Sequence, residues 1–314
     1  MVNQVLYVGV KKGLYEIITK FPYEIGIVVA MIFPELLKSD KGFSDKVRVL
    51  IDDPFFDLLE VGLVNENEWE KTINYVKRSN RHINFILGLQ PEVLIKGYNP
   101  SALDESIRKK SEELLVRSTD IAGRRGMKAI ALCSGPNVEE SLKSKALESF
   151  KRTIYPIADR ASRYGLSVYV ETFDYQWDKK RLIGPLDLAA KFIEEVRSTH
   201  GNVYLLWDLS HAPLLNEKPE DLKNYADLIG HIHVGCAKKV NDKLYDWHPS
   251  FYRPGAINTE EDLARLLQVL HDIGYRGAIS FEVKPEEGQS PLEVINVVKG
   301  VLMRAYQVFL EGIL

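Results

Sequence analysis

Cysteine is nearly missing from this chain: Cys133 and Cys236 are the only two among 314 residues, and a long stretch separates them. So sparse a set excludes a disulfide scaffold, and two isolated cysteines in a chain of this length read as reduced thiols. Neither shows a ligand spacing or a paired base, so both are assigned to packing. Long apolar runs are missing too. No stretch of roughly 18 apolar residues occurs, which excludes a membrane-spanning helix. The opening residues lack the charged-then-apolar layout of a secretory signal, so a cytoplasmic location is expected. Nor does charge of one sign dominate, since 41 basic against 44 acidic residues gives 41 − 44 = −3. That balance gives no general pull toward nucleic acid or an anionic membrane, so neither is expected as a partner. Low-complexity tracts and linkers are missing as well, and one domain over 1–314 is expected.

What is present is a repeating alternation. With 45% hydrophobic and 27% charged residues there is apolar material for a large core. Short β-branched or aromatic runs recur at 23–29, 55–63, 82–89, 128–133, 166–173, 203–208, 228–234 and 277–283. Stretches of helical period lie near 43–51, 66–79, 101–125, 138–164, 185–199, 217–226, 258–273 and 290–311. Ser101, with Asp104 three residues on, and Asn258, ahead of Glu260 and Glu261, are the expected helix caps. Gly126, Gly165, Gly201 and Gly274 each stand just before a strand, where a helix must stop. Strict strand–helix alternation implies parallel strands with crossover helices. Eight units is the number at which such a sheet closes on itself, so a single (β/α)₈ TIM barrel is expected. An open doubly wound sheet is the competitor, but the first strand–helix turn lacks a G-x-G-x-x-G sequence. Residues 1–22 precede the first unit, and the segments around Lys12-Gly13 suit a hairpin under the barrel floor.

The acids and histidines that could do chemistry fall at one place in the repeat. Glu171, Asp208, His233 and Glu282 end the fifth to eighth strand segments. All four therefore reach the C-terminal rim, where parallel barrels place their active sites. Three carboxylates brought together raise one another's pKa, and a divalent cation relieves that repulsion. Three carboxylates and one imidazole suit Mn²⁺, Mg²⁺ or Co²⁺, with Zn²⁺ also admitted. The competing reading is four separate salt bridges at strand ends. His211, three residues past Asp208, would stand beside the metal or touch substrate. His231, one layer deeper than His233, reads as a hydrogen-bonded core histidine. The loop 235–257 is long enough to be functional and carries Lys238, Lys239, Asp246, Trp247, His248 and Arg253. Its cations would bind phosphate, carboxylate or hydroxyl oxygens, and Trp247 would offer an apolar wall to a ring. Glu60 ends the second strand at the same rim and is a further candidate for substrate contact.

VETF at 170–173, WDLSH at 207–211, HIHVG at 231–235 and SFEVKP at 280–285 resemble the xylose-isomerase-like barrel superfamily. The resemblance spans the first strand to the last helix and is most specific over 166–285. Within it, the ketose 3-epimerase and sugar-phosphate isomerase/epimerase group is the nearest pattern. That resemblance implies metal binding by Glu171, Asp208, His233 and Glu282; Glu171 and Glu282, each able to keep one oxygen free of the metal, are then expected to be catalytic as base and acid on the two faces of a substrate. It implies substrate contacts from His211 and from Lys239, which stands where the epimerases carry arginine. A small carbohydrate is the implied partner, and a homo-oligomer is compatible with it. Endonuclease IV, a phosphodiesterase for damaged DNA, belongs to the same superfamily, and Asp246-Trp247-His248 resembles its D-x-H pair. Its further metal histidines have no counterpart at 87–91 or 132–136. A metal-dependent dehydratase of an inosose-like polyol would use the same four ligands.

Overall fold

The structure, a computed structural model, describes residues 6–313. Eight parallel strands close into a barrel in the order β12-β3-β4-β5-β6-β7-β8-β9. They are β3 (Glu24–Val28), β4 (Leu58–Val61), β5 (Asn84–Gly88), β6 (Ala129–Cys133), β7 (Ser167–Glu171), β8 (Val203–Asp208), β9 (Ile229–Val234) and β12 (Ala278–Phe281). The chain is a (β/α)₈ TIM barrel, as expected. Period-two alternation sends Leu58, Ile86, Ala129, Ala131, Tyr169, Leu206 and Ala278 into the barrel, where they pack as one cluster. The opposite faces meet the surrounding helices and form the main core, in which residues such as Ile27, Val168, Val170 and Leu205 are fully buried. Closure leaves none of the eight strands with a free edge.

The helices are α1 (Val29–Ile32), α2 (Phe43–Asp52), α3 (Glu66–Ser79), α4 (Gln90–Leu94), α5 (Glu105–Arg124), α6 (Glu140–Ser162), α7 (Leu186–Arg197), α8 (Ala212–Leu215), α9 (Glu260–Asp272) and α10 (Pro291–Ile313). Gly126, Gly165 and Gly274 adopt positive φ before their strands, which a side chain would oppose. Two expected caps are displaced. Asp104, not Ser101, caps α5, accepting from Ser106 N at 2.8 Å and Ile107 N at 3.1 Å. Ser101 Oγ instead accepts from Gly135 N. Thr259, not Asn258, caps α9 in a reciprocal box with Asp262. The Asn258 amide is buried, joining Ala237 N to Leu209 O. The helix expected at 217–226 is a 3₁₀ segment, Pro219–Leu228, broken at Tyr225.

Ahead of the barrel, β1 (Tyr7–Lys12) and β2 (Tyr15–Lys20) form an antiparallel hairpin that packs on α10. The expectation for residues 1–5 of this segment lies outside the described residues. The region after β9 is not a bare loop, because β10 (Lys238–Val240) and β11 (Lys243–Tyr245) pair there as a second hairpin. Among the described residues, no helix is long and apolar enough to cross a membrane. Both cysteines are buried free thiols, and burial raises the pKa of each.

Candidate metal centre

Parallel pairing sets Asp208 opposite His233 and Ser280 opposite His233, so neighbouring strands deliver their last inward side chains to one spot. Glu282, one residue beyond β12, is carried there by the same strand. One ligand atom from each of Glu171, Asp208, His233 and Glu282 lies within 4.8 Å of the others. His233 Nδ1 stands 2.8 Å from Glu282 Oε2 and 3.5 Å from Glu171 Oε1. Gly235 lets the end of β9 lie close against the Glu282 backbone and the His248 ring. A Cβ there would stand 2.5 Å from Glu282 O and 2.9 Å from His248 Nδ1.

The cluster fits a cation on its own chemistry. Beyond their contacts with one another, the buried atoms Glu171 Oε1, Glu282 Oε2 and His233 Nδ1 lack hydrogen-bond partners among the described residues. Unpartnered buried polar atoms are costly, and a shared divalent ion would satisfy all three. The outer shell is of the kind that orients metal ligands. Glu60 lies 3.1 and 3.2 Å from His233 Nε2, which turns Nδ1 toward the cluster. Gln90 Nε2 donates to Glu171 Oε2 at 2.8 Å. Ser210 N and Oγ donate to Asp208 at 2.7 and 2.6 Å.

Charge follows the geometry. Burial pushes the Glu171 carboxyl upward. Burial pushes Glu282 the same way, but the His248 and His233 charges outweigh it and hold Glu282 low. Burial opposes the protonated form of His233, yet the carboxylates of Glu60 and Glu282 hold its pKa well above the usual histidine value. The neighbouring carboxylates raise the pKa of His211 and His248 in the same way, against burial.

A second group adjoins the first. Asp208, His211 and His248 also converge within ligand distance. Asp246 Oδ1 joins them, 2.6 Å from His248 Nε2 and 3.3 Å from His211 Nε2. His211 Nδ1 is 2.7 Å from Thr172 O, so the ring donates there and leaves Nε2 facing the acids. His248 sits at φ 47°, a left-handed backbone conformation that a side chain adopts only at a cost. His231, read as a core histidine, is buried with Nε2 2.7 Å from Glu60 Oε1 and its ring stacked on Tyr169.

A cavity of about 350 Å³ opens beside the cluster and touches Glu60, His233, Asp246, His248 and Glu282. Three residues expected to contact substrate lie elsewhere. Lys239 is half exposed on β10 and pairs with Asp242, because the hairpin turns it outward. Arg253 is held by Glu286, as is Lys238. Trp247 is 39% exposed and packs on Tyr245. Glu60 does border the cavity, but its oxygens are taken by His231 and His233. The lysines that line the cavity beside the cluster are Lys179 and Lys284, neither singled out by sequence. Lys179 donates to Asp246 O at 2.8 Å and pairs with Asp178. Among the described residues Lys284 has no ion-pair partner, and burial, with the charge of Lys179, lowers its pKa. Its place two residues past Glu282 was the available signal. Gln90 was missed as well, since a glutamine after a strand announces nothing by itself.

A comparison with curated proteins finds no match. Among solved structures, a D-tagatose 3-epimerase-like protein superposes with a TM-score of 0.67 at 18% identity, covering 93% of this chain and 100% of its own. An IolI protein with a bound zinc atom gives 0.65 at 17% identity, covering 91% and 99%. The 3-keto-D-glucoside 4-epimerase YcjR of E. coli gives 0.65 at 17%, covering 89% and 99%. At such identities the likeness speaks for the fold. The model of the xylose isomerase-like TIM barrel family matches residues 60–297, the greater part of the chain and the whole span that supplies the cluster, so the chain belongs to that family.

Proposed function

We propose that the chain is a divalent-metal-dependent isomerase or epimerase of a sugar or sugar phosphate, moving a proton next to a polarised carbonyl. The observation that carries this reading is the pair of carboxylates, Glu171, which is buried, and Glu282, which is partly buried. Each turns toward the same point an oxygen with no partner outside the cluster, and Glu282 also borders the cavity. A divalent cation held by Glu171, Asp208, His233 and Glu282 would supply the Lewis acidity that makes the adjacent C–H acidic. Glu282, held low by His248 and His233, takes the proton from that carbon on one face. Glu171, raised by burial and fixed by Gln90, returns its own proton on the other face, which inverts the carbon and gives epimerisation. Return at the neighbouring carbon gives isomerisation instead. Partial enclosure limits the exchange of the transferred proton with water. The epimerases and the zinc-bound IolI protein among the superposed structures support the same reading. Incubation of the metal-loaded protein with a panel of ketoses in D₂O tests it. Deuterium should enter at the carbon next to the carbonyl. No incorporation with any ketose, despite bound metal, would sink it. Loss of water from an inosose in the same assay would point to a dehydratase built on the same ligands.

The second reading, phosphoester cleavage, is favoured by one observation, the group of Asp208, His211, Asp246 and His248 beside the first. Nicking of a duplex with an abasic site, steeply weakened by salt, would establish it.

A further inference from the structure

The cavity has two unlike halves. One is the carboxylate–imidazole cluster. The other is a wall built from the segments that follow β3, β4 and β5: Met31, Leu36 and Leu37, then Leu63, then Leu94 and Ile95. These side chains are only partly covered, and Ile95 is 60% exposed. Four polar side chains on that side, Asp40, Gln90, Glu92 and Lys96, are already engaged. Asp40 accepts from Asn65 N and Nδ2 at 2.6 and 3.0 Å, Gln90 donates to Glu171, and Glu92 pairs with Lys96 at 2.8 Å.

A polyol with a hydroxyl on every carbon suits such a wall poorly. Its distal hydroxyls would give up water and meet methyl groups, and an unpaired buried hydroxyl is unfavourable. An apolar group would instead cover surface that the fold leaves wet. We infer that the substrate is amphiphilic, with a carbonyl-bearing polyol end at the cluster and an alkyl or aromatic substituent laid along the Leu36–Leu94–Ile95 wall. The inference rests on the proposed function for the polar end, and the wall is continuous with that site.

The test uses the metal-loaded protein and three probes: D-fructose, 6-O-butyl-D-fructose and 6-O-benzyl-D-fructose. Calorimetry measures binding, and deuterium uptake in D₂O measures proton transfer. The ethers should bind about tenfold tighter or better, the gain from roughly two buried CH₂ groups. Ile95→Asp and Leu37→Asp, each checked for fold by circular dichroism, should remove most of that advantage. Ethers that bind no tighter than D-fructose overturn the inference, as does an advantage that survives both substitutions. Tail-dependent binding without deuterium uptake leaves the inference standing and sinks proton transfer. Uptake without tail dependence does the reverse.

Discussion

Gln90 Nε2 lies 2.8 Å from Glu171 Oε2, a bond that joins the helix after β5 to the end of β7 across the intervening strand β6. It fixes one carboxylate oxygen and leaves Oε1 for the cluster. Hydrogen bonds to charged groups contribute about 1.5–3 kcal/mol. Gln90→Leu should therefore slow deuterium exchange by about 10- to 100-fold, with bound metal, measured by elemental analysis, unchanged. An unaltered exchange rate would show that the bond does not position Glu171.

His233 and the Glu60 carboxylate behind it should differ in what they control. His233→Ala removes a ligand and should abolish stoichiometric metal binding. Glu60→Gln leaves every ligand in place but weakens the carboxylate behind His233 Nε2. Its apparent metal affinity should fall about 10- to 100-fold, the usual effect of losing such a partner. Competition with a chromogenic chelator measures both variants.

Lys284 and Lys239 offer a direct contrast. Lys284 lines the cavity with no ion-pair partner among the described residues, whereas Lys239 faces solvent beside Asp242. Lys284→Ala should raise KM more than tenfold, about 1.4 kcal/mol of lost binding. Lys239→Ala should leave both kinetic constants within about twofold, as expected for an exposed pair. The opposite pattern would return Lys239 to the site.

The acid–histidine network makes the metal-free protein sensitive to pH. Burial opposes protonation of His248, but the Asp246 and Glu282 carboxylates outweigh it and raise its pKa to about 9. An unfolded histidine titrates near 6.5. A raised value means the protonated form favours folding, so this contribution is full below about pH 6.5 and is lost as pH rises through about 9. Thermal melts should show Tm falling across that window, and His248→Gln should flatten the slope. Metal must displace protons from His233, so its binding should strengthen with pH and release protons, seen as a buffer-dependent heat.

Much of this was legible in the chain because parallel strands with both faces covered are written as short β-branched runs. The run 203–208 became β8 (Val203–Asp208) without change, and its terminal Asp208 meets His233 because barrel closure fixes the register. Strand ends therefore gave the cluster. What was not legible depends on the paths of loops. Lys239 stands six residues past His233, but the β10–β11 hairpin, invisible to spacing rules, turns it outward. Gln90, Lys179 and the leucines of the apolar wall lie on connecting segments, where sequence distance says little about spatial neighbours. Ser101 and Asn258 were both plausible caps by type, and tertiary hydrogen bonds claimed them instead.

The backbone of His248 bears on how this protein would respond to improvement. An imidazole at φ 47° sits where glycine is at ease, so His248→Gly would relax roughly 1–2 kcal/mol of steric conflict. The ring's packing and its contact with Asp246, 2.6 Å away, outweigh that relief, so a screen that rewards heat resistance should keep the histidine. The strained peptide unit is held in place by the contacts of its own side chain.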